Sequence, residues 1–460
     1  MHRALSFAHA VRALQQARCL SPEVCYRILH WRSLRCSGAA STHVPRAAGG
    51  FQSAVEDARG LGTPAQAAAT AQPQLPLCER QAQHAVPLID LLAWHETALL
   101  QVKDVGDSWA QQDDGPSAED LRTELGWLLD DSLAAWSHNG GDWRGVSWQQ
   151  LERDLRQQTF KDSAGQYRVQ LREPLESLAA IWEQRLRHRH PLQYLTSTAF
   201  WRDIVLSVGP GVLIPRPETE LMIDLVQEAV AASPLLAAGT WADLGTGSGA
   251  LAVGVARALP QAPKVYAVDL SPVPLAYAAF NAQRLGVADR VTPVQGSWLE
   301  PLEAAGVRQL AGLVSNPPYI PSTEMPGLQA EVGRHEPHLA LHGGEGLGID
   351  CLLPICTGAA RRLQPGGFLA LETAGGEQAR YIAELLSHMR CSALNGAAAG
   401  LAGVGVCTGS SGSWPGGGAG PSPGEQLAFE DVRVRKDLRG VDRFVTASRA
   451  AVPVDPDSDS

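Results

Sequence analysis

Residues 241–250 read Trp241-Ala242-Asp243-Leu244-Gly245-Thr246-Gly247-Ser248-Gly249-Ala250, so a short apolar run passes directly into a turn rich in glycine. Glycine adopts backbone conformations closed to other residues and lets the chain approach a ligand closely. A helical pattern over residues 251–259 follows, and the N-terminus of a helix favours polar or anionic ligand groups. The glycine spacing is G-x-G-x-G, not the G-x-G-x-x-G of dinucleotide-binding folds. The segment predicts a ligand site between a strand and a helix.

The next apolar run, residues 264–268, ends in Asp269. An acid at the end of the second strand can accept hydrogen bonds from both ribose hydroxyls of a nucleoside. The same residue could instead cap the helix that begins near Ser271 and Pro272. The residues alone leave both interpretations open.

A third apolar run, residues 311–315, is followed by Asn316-Pro317-Pro318-Tyr319. The Asn316 side-chain oxygen and the Pro317 carbonyl can each accept one hydrogen from a planar NH2 group. The two prolines fix φ and preorganise the backbone acceptor, and the Tyr319 ring offers a flat face to a flat substrate group. A proline-rich turn after a strand is the structural alternative. Together with the glycine turn and the acid, the tetrapeptide favours an S-adenosylmethionine-dependent methyltransferase that acts on an exocyclic or amide nitrogen.

Strands and helices alternate from about residue 240 to residue 388, which predicts a doubly wound α/β fold with a parallel sheet. Two later runs, residues 427–434 and 442–447, have the spacing of an antiparallel pair that closes the sheet. Before them, residues 391–424 contain eleven glycines and no charged residue, which predicts a disordered, low-complexity insertion.

The first 55 residues carry seven arginines and a single acid, Glu23, which is the composition of an organelle transit peptide. A basic tail without an address is the alternative. Upstream of the methyltransferase domain, leucine stripes at helical spacing predict a helical domain. The predicted segments are a leader (1–55), a linker (56–85), the helical domain (86–195), a β-hairpin bridge (196–217), the methyltransferase domain (218–449) and a tail (450–460).

This upstream part also contains a possible hairpin and a run of basic residues. Residues 204–208 and 212–214 flank Gly209-Pro210-Gly211, which indicates a hairpin with its turn at the glycines. Residues 185–190 (Arg-Leu-Arg-His-Arg-His) form the strongest basic run. Either this run is a solvated helix end, or it contacts an acidic or RNA-bearing partner.

Composition limits the remaining possibilities. At 460 residues, two to three domains are expected. The net charge of −10 argues against a large phosphate-binding surface. The eight cysteines form no C-x-x-C pair and no metal-ligand spacing, so we expect no metal, a reducing compartment, and buried thiols at Cys351 and Cys356. No apolar run approaches the roughly 20 residues that span a bilayer.

Four widely spaced signatures resemble one known family. They are residues 215–220 (Pro-Arg-Pro-Glu-Thr-Glu), 243–249, 314–320, and 433–444, which includes Asp442-Arg443-Phe444. In this order they resemble the HemK/PrmC family, the protein N5-glutamine methyltransferases of peptide chain release factors. The resemblance covers about residues 86–390 and 427–449, and residues 326–337 resemble the plant and algal organelle members especially.

The resemblance implies a Rossmann-like class I methyltransferase domain with a seven-stranded sheet, preceded by a small helical domain that recognises the substrate. It implies that Asp269 binds the ribose of S-adenosylmethionine and that Trp298 lies along the adenine, although an ordinary buried aromatic is the alternative for Trp298. Asn316, Pro317, Pro318 and Tyr319 would hold the substrate glutamine, with Asn316 also beside the donor. The methionine part of the donor would lie against Gly245, Thr246, Gly247, Ser248 and Gly249.

The implied reaction is methyl transfer to the side-chain amide of the glutamine in the Gly-Gly-Gln motif of an organellar class I release factor. The resemblance favours a plastid, with a mitochondrion as the alternative, and we expect a monomer without nucleic acid or membrane contacts. An adenine-N6 nucleic-acid methyltransferase would use the same tetrapeptide, but it needs a basic groove and base-flipping contacts. A methyltransferase fold kept only for binding is a second rival, and the intact motifs argue against it.

Overall fold

The computed structural model describes residues 72–156, 164–390 and 426–451. The predicted leader, the insertion at 391–424, all of the tail except residues 450–451, and most of the linker lie outside these residues. Within them, no helix is long and apolar enough to cross a membrane.

The upstream part combines helices with a four-stranded antiparallel sheet. Its helices are α1 (Leu88–Val105), α2 (Ser108–Asp113), α3 (Ala118–Ser132), α4 (Trp148–Leu155), α5 (Leu175–His188) and α6 (Leu192–Thr196). Its strands are β1 (His84–Pro87), β2 (Leu133–His138), β3 (Arg144–Gly145) and β4 (Tyr167–Leu171), in the order β1-β4-β2-β3. The sequence analysis predicted a helical domain, and its leucine stripes correspond to α1, α3 and α5, but it predicted none of these strands.

The boundary between α3 and β2 explains why β2 was not predicted. Helix α3 begins at a capping box, in which the Ser117 hydroxyl and the Asp120 carboxylate each accept from the other residue's backbone N–H. Its buried leucine stripe has helical spacing, and Leu133 continues it. Leu133 is nevertheless extended, at φ −79° and ψ 130°, and it is the first residue of β2. The leucine spacing therefore runs past the end of the helix.

The bridge contains a hairpin, but its turn is not where the glycines suggested. Strands β5 (Ala199–Trp201) and β6 (Ile204–Leu206) pair antiparallel around Arg202, which adopts φ +50°. A turn does form at Gly209-Pro210-Gly211, where the Val212 N–H donates to the Gly209 carbonyl at 3.2 Å, but the predicted hairpin across it is wrong, because residues 212–214 form no strand. The partner of β6 is instead the upstream strand β5, whose Trp201 is buried and donates from its indole to the Arg216 carbonyl at 3.2 Å.

The central sheet has seven strands and confirms the predicted α/β class. Its strands are β7 (Trp241–Leu244), β8 (Val265–Asp269), β9 (Val291–Gln295), β10 (Leu310–Ser315), β13 (Leu363–Glu372), β14 (Phe429–Lys436) and β15 (Asp442–Arg449). Between β10 and β13 in the sequence, β11 (Ile320–Pro321) and β12 (His342–Gly344) form a separate parallel pair. The sheet order is β14-β15-β13-β10-β7-β8-β9. Only the pairs that involve β15 are antiparallel, as predicted for the last two strands.

Helices cover both faces of this sheet. They are α7 (Leu221–Ala232), α8 (Ala250–Ala258), α9 (Pro272–Arg284), α10 (Glu300–Ala304), α11 (Ala330–His335), α12 (Leu352–Arg362) and α13 (Gly376–His388). Strand β13 shows why two layers form: Phe368 and Ala370 pack toward α7 and α8, whereas Leu369 and Leu371 pack toward α12 and α13. Cys356 of α12 is buried as predicted, whereas Cys351, just before it, is only half-buried.

The strand order reverses beside β7, because β8 follows on one side and β10 lies on the other. In an open α/β sheet, ligands bind outside the carboxyl ends of the strands at such a switch point. The ends of β7, β8 and β10 carry the glycine turn, Asp269 and Asn316. The topology thus brings the three sequence motifs together.

Candidate active site

Two adjoining cavities share Asn316 in their walls. The glycine-turn cavity, about 580 Å³, is lined by Gly245, Gly247, Asp269 and Trp298 among others. The tetrapeptide cavity, about 450 Å³, is lined by Pro317, Tyr319 and Glu372 among others. Every residue that the sequence analysis named as a site candidate, except Gly249, lines at least one of the two.

The glycine turn owes its shape to backbone that other residues rarely adopt. Gly245, Gly247 and Gly249 have φ of +74°, +54° and +83°. A Cβ at Gly249 would lie 2.9 Å from the Ala278 Cα, so this glycine lets α9 approach the turn. Asp243, fully buried at the end of β7, accepts from the Thr246 hydroxyl at 2.6 Å and the Ala252 N–H at 3.0 Å. The turn therefore presents main-chain groups to the cavity, while the Thr246 hydroxyl is held by Asp243.

Asp269 faces this turn from the end of β8. Its carboxylate accepts from the Gly247 N–H at 3.1 Å and the Ser271 N–H at 3.0 Å. Burial raises the pKa of this carboxyl, against the backbone donors that lower it. The alternative helix-cap interpretation is wrong, because Ser271 is the cap residue of α9 and accepts from the Val273 N–H. Asp269 is thus a half-buried acid in the cavity wall.

Trp298 forms another part of the same wall. It adopts φ +46°, which is unusual for a large side chain. A Cβ at Gly245 would lie 3.8 Å from its ring, so the ring stands beside the turn. The side chain also packs on the core cluster below the sheet. Trp298 therefore both lines the cavity and packs against the hydrophobic core.

Asn316 belongs to a chain of buried hydrogen bonds. Its Nδ2 donates to the Thr219 Oγ1 at 3.1 Å, and the Thr219 hydroxyl donates to the Glu372 Oε2 at 2.6 Å. The other carboxylate oxygen, Oε1, accepts from the Tyr319 hydroxyl at 3.1 Å. One carboxylate thereby connects both ends of the tetrapeptide.

Sequence reasoning assigned no role to Thr219 or Glu372. Glu372 ends β13 and is 1% exposed, and burial raises the pKa of its carboxyl to about 7. Burial, together with the nearby Glu372 carboxylate, also raises the pKa of the Tyr319 hydroxyl. A signal was present, because Glu372 is an acid at the end of an apolar strand, as Asp269 is.

The basic run reaches the wall of the tetrapeptide cavity at Arg185. Arg185 is 1% exposed and pairs with Glu124 at 2.5 Å and Glu331 at 3.0 Å. Arg189 pairs with the same Glu331 at 2.5 Å and with Asp113 at 2.7 Å. Both predictions for this run are wrong at Arg185 and Arg189, because these arginines join α5 and its C-terminal end to α11 of the sheet domain. Burial of a charge requires such partners.

Arg187, in the same run, behaves differently. Its side chain is 73% exposed and pairs with Glu183 one helical turn earlier, at 2.9 Å. For this residue the solvated helix end is confirmed. Arg185 and Arg187 thus lie on opposite sides of the helix, one buried and one exposed, and Arg189 follows at its C-terminal end.

The mouth of the tetrapeptide cavity carries further charge. Arg216 pairs with the buried Glu336 at 2.6 Å, and that carboxylate also accepts from the Ile214 N–H at 3.1 Å. Arg443 and Glu218 line the same cavity. In the described part of the chain, no group of His, Cys, Asp and Glu side chains could hold a metal ion.

Comparison with known proteins gives relatives of one kind. A family model described as Methyltransferase small domain matches residues 218–329. A release factor glutamine methyltransferase from Synechocystis sp. is 40% identical over 308 residues, which cover 66% of this chain and 88% of that protein. Another, from Gloeobacter violaceus, is 48% identical over 202 residues, or 44% of this chain and 68% of that protein.

Solved structures resemble the chain more distantly. A ribosomal protein L11 methylase from Lactobacillus delbrueckii subsp. bulgaricus is 17% identical, with a TM-score of 0.32, and the match covers 54% of this chain and 88% of that one. An RNA methyltransferase from Salinibacter ruber, in complex with S-adenosyl-L-homocysteine, is 16% identical, with a TM-score of 0.26 over 53% of this chain and 98% of that one.

Proposed function

The chain belongs to the release factor glutamine methyltransferase family, and we propose that it methylates the side-chain amide of a glutamine in a peptide chain release factor. It has the Rossmann-like fold of class I methyltransferases, and S-adenosylmethionine is its methyl donor. The observation that carries the proposal is the position of Asn316 in the wall between the two cavities.

The residues of the glycine-turn cavity fit the donor. When bound, S-adenosylmethionine supplies a methyl group on an electrophilic sulfonium. We propose that residues 245–249 hold its methionine part through main-chain groups, that Asp269 accepts from the ribose hydroxyls, and that Trp298 lies along the adenine. The carboxylate of Asp269 has lone pairs beyond those used by the Gly247 and Ser271 N–H groups.

The tetrapeptide would act on the substrate by orientation. An amide nitrogen is a poor nucleophile, because its lone pair is delocalised into the carbonyl. The Asn316 Oδ1 and the Pro317 carbonyl would each accept one hydrogen of the substrate NH2, and they would favour the positive charge that develops on nitrogen. The Tyr319 ring would pack on the planar amide. Glu372 already accepts from Thr219 and Tyr319, so we assign it no role as a base, and the proton leaves to solvent.

The reaction is tested by methyl transfer from labelled S-adenosylmethionine. We would offer a release factor, its Gly-Gly-Gln→Gly-Gly-Ala variant and adenine-containing DNA, and map the label by peptide mass. One methyl on that glutamine, absent from the variant, is the expected result. Label on DNA with none on protein would contradict it and favour the adenine-N6 alternative, against which the net charge of −10 already argues.

We further propose that the enzyme works in a plastid, as a monomer without nucleic-acid or membrane contacts. The arginine-rich leader at residues 1–55 and the cyanobacterial source of the first relatives support this location. The upstream helices would recognise the release factor, because Glu124 and Arg185 line the tetrapeptide cavity. Expression of residues 1–85 fused to a fluorescent protein tests the address, since mitochondrial fluorescence would contradict a plastid.

A further inference from the structure

We propose that Glu372 and Thr219 are positioning residues that fix the side-chain amide of Asn316 with its oxygen toward the substrate. The inference rests on the proposed function and deepens it. It gives a reason for a buried carboxylate that accepts directly from Tyr319 and reaches Asn316 through Thr219.

The direction of each hydrogen bond carries the argument. An ionised carboxylate accepts only, and a hydroxyl has a single hydrogen. The Thr219 hydroxyl donates that hydrogen to the Glu372 Oε2 at 2.6 Å. Its oxygen can therefore only accept from Asn316, which must present Nδ2, at 3.1 Å. The opposite orientation would set the Asn316 Oδ1 against the Thr219 oxygen, without a hydrogen between them.

The fold places the three residues together and keeps water away. Strands β10 and β13 are parallel neighbours with Ser315 opposite Leu371, so Asn316 and Glu372 follow side by side. Thr219 comes from the turn before α7 and is 4% exposed, whereas Glu372 is 1% exposed. Burying a charge costs free energy unless the charge is paired and hydrogen-bonded. The carboxylate is therefore better explained by its hydrogen bonds to the active site than by stability.

The same carboxylate makes the orientation sensitive to pH. Burial is the largest cause that raises the pKa of Glu372, and Glu218 on the turn before α7 raises it as well. The Thr219 and Tyr319 hydroxyls and Arg443 on β15 act in the opposite direction and lower it, and the resulting pKa is about 7. Protonated Glu372 could donate to Thr219, which would free the Thr219 hydrogen for the Asn316 oxygen and allow the amide to turn over. We therefore expect kcat to rise with pH through about 7.

Two variants test the inference in the full chain, with the release factor as substrate. Thr219→Val keeps the shape of the side chain and removes the hydroxyl, and Glu372→Gln replaces a group that can only accept hydrogen bonds by one that can also donate. We expect each to lower kcat roughly 10- to 100-fold, with KM for the release factor changed less than about threefold. Thr219→Ser, which returns the hydroxyl, should recover kcat relative to Thr219→Val. Glu372→Gln should also lose the rise of kcat near pH 7.

The matched control is Thr196→Val, at a buried threonine whose hydroxyl donates to the Leu192 carbonyl of its own helix. It should leave kcat unchanged. Wild-type kcat in both test variants, with donor binding intact by calorimetry, would overturn the inference. If Glu372→Gln does not fold, the comparison of Thr219→Val with Thr219→Ser decides. Absence of methylation by the wild-type enzyme would contradict the proposed function itself, before any variant is compared.

Discussion

The glycine-turn cavity and the tetrapeptide cavity meet at Asn316, yet they are built by different means. The first is formed largely by segments that each follow their own strand, and the backbone conformation of the glycine turn shapes one of its walls. The second depends on side chains from distant parts of the chain, such as Glu124, Arg185 and Glu331. A site made of local backbone can be recognised from a short motif, whereas a site made of long-range side-chain contacts cannot.

The largest expected effect concerns Asn316, a polar residue that lines both cavities. Asn316→Ala should lower kcat by about 1,000-fold or more, because it removes an acceptor that orients the substrate nitrogen. Donor affinity should change less than about threefold, since the backbone of the turn is untouched. Single-turnover kinetics and calorimetry measure the two quantities separately. Loss of donor binding in a folded variant would show that the cavities are not independent.

The next effect tests the substrate side alone. Glu331→Gln weakens the ion pairs of both Arg185 and Arg189, and leaving buried charges without a full partner should lower the free energy of unfolding by about 3 kcal/mol. We expect a higher KM for the release factor and unchanged donor affinity. Denaturant unfolding and steady-state kinetics measure these.

The matched control is Glu183→Gln, in the exposed pair with Arg187. It should change the free energy of unfolding by less than about 0.5 kcal/mol. Equal effects of the two variants would contradict the assignment of Glu331 to a buried network. A fall in donor affinity for Glu331→Gln would show that the glycine-turn cavity depends on the same wall.

The same contrast explains what the sequence could predict. Asp269 and Asn316 were found because each ends an apolar strand beside its own motif. Glu372 also ends an apolar strand, which is a local signal, but its partner Thr219 lies 153 residues away, so the sequence did not show that the two residues interact. The sequence did not indicate that Arg185 is buried, because its two acidic partners, Glu124 of α3 and Glu331 of α11, are far from it along the chain.

On the donor side, Asp269→Ala should weaken S-adenosylmethionine binding by roughly 30-fold, or about 2 kcal/mol, because charge-assisted hydrogen bonds are lost. The KM for the release factor at saturating donor should not change. Asp203→Ala, at an exposed acid paired with Arg257, is the control and should leave donor affinity unchanged. An unaltered affinity in Asp269→Ala would remove this residue from the donor site.

The smallest expected effect separates the two interpretations of Trp298. If the ring lies along the adenine, Trp298→Leu should weaken donor binding by about 1 kcal/mol, since stacking contributes roughly that much beyond burial. The melting temperature should then fall less than in Trp182→Leu, where the ring is 1% exposed in the upstream core.

Trp182→Leu in turn should leave donor affinity unchanged, because its ring lies far from the glycine turn in the upstream cluster. The opposite result for Trp298, a large loss of stability with full donor affinity, would make it a core residue that only borders the cavity. In that case the glycine-turn cavity would also depend on a long-range packing contact, and the distinction between the two cavities would be one of degree.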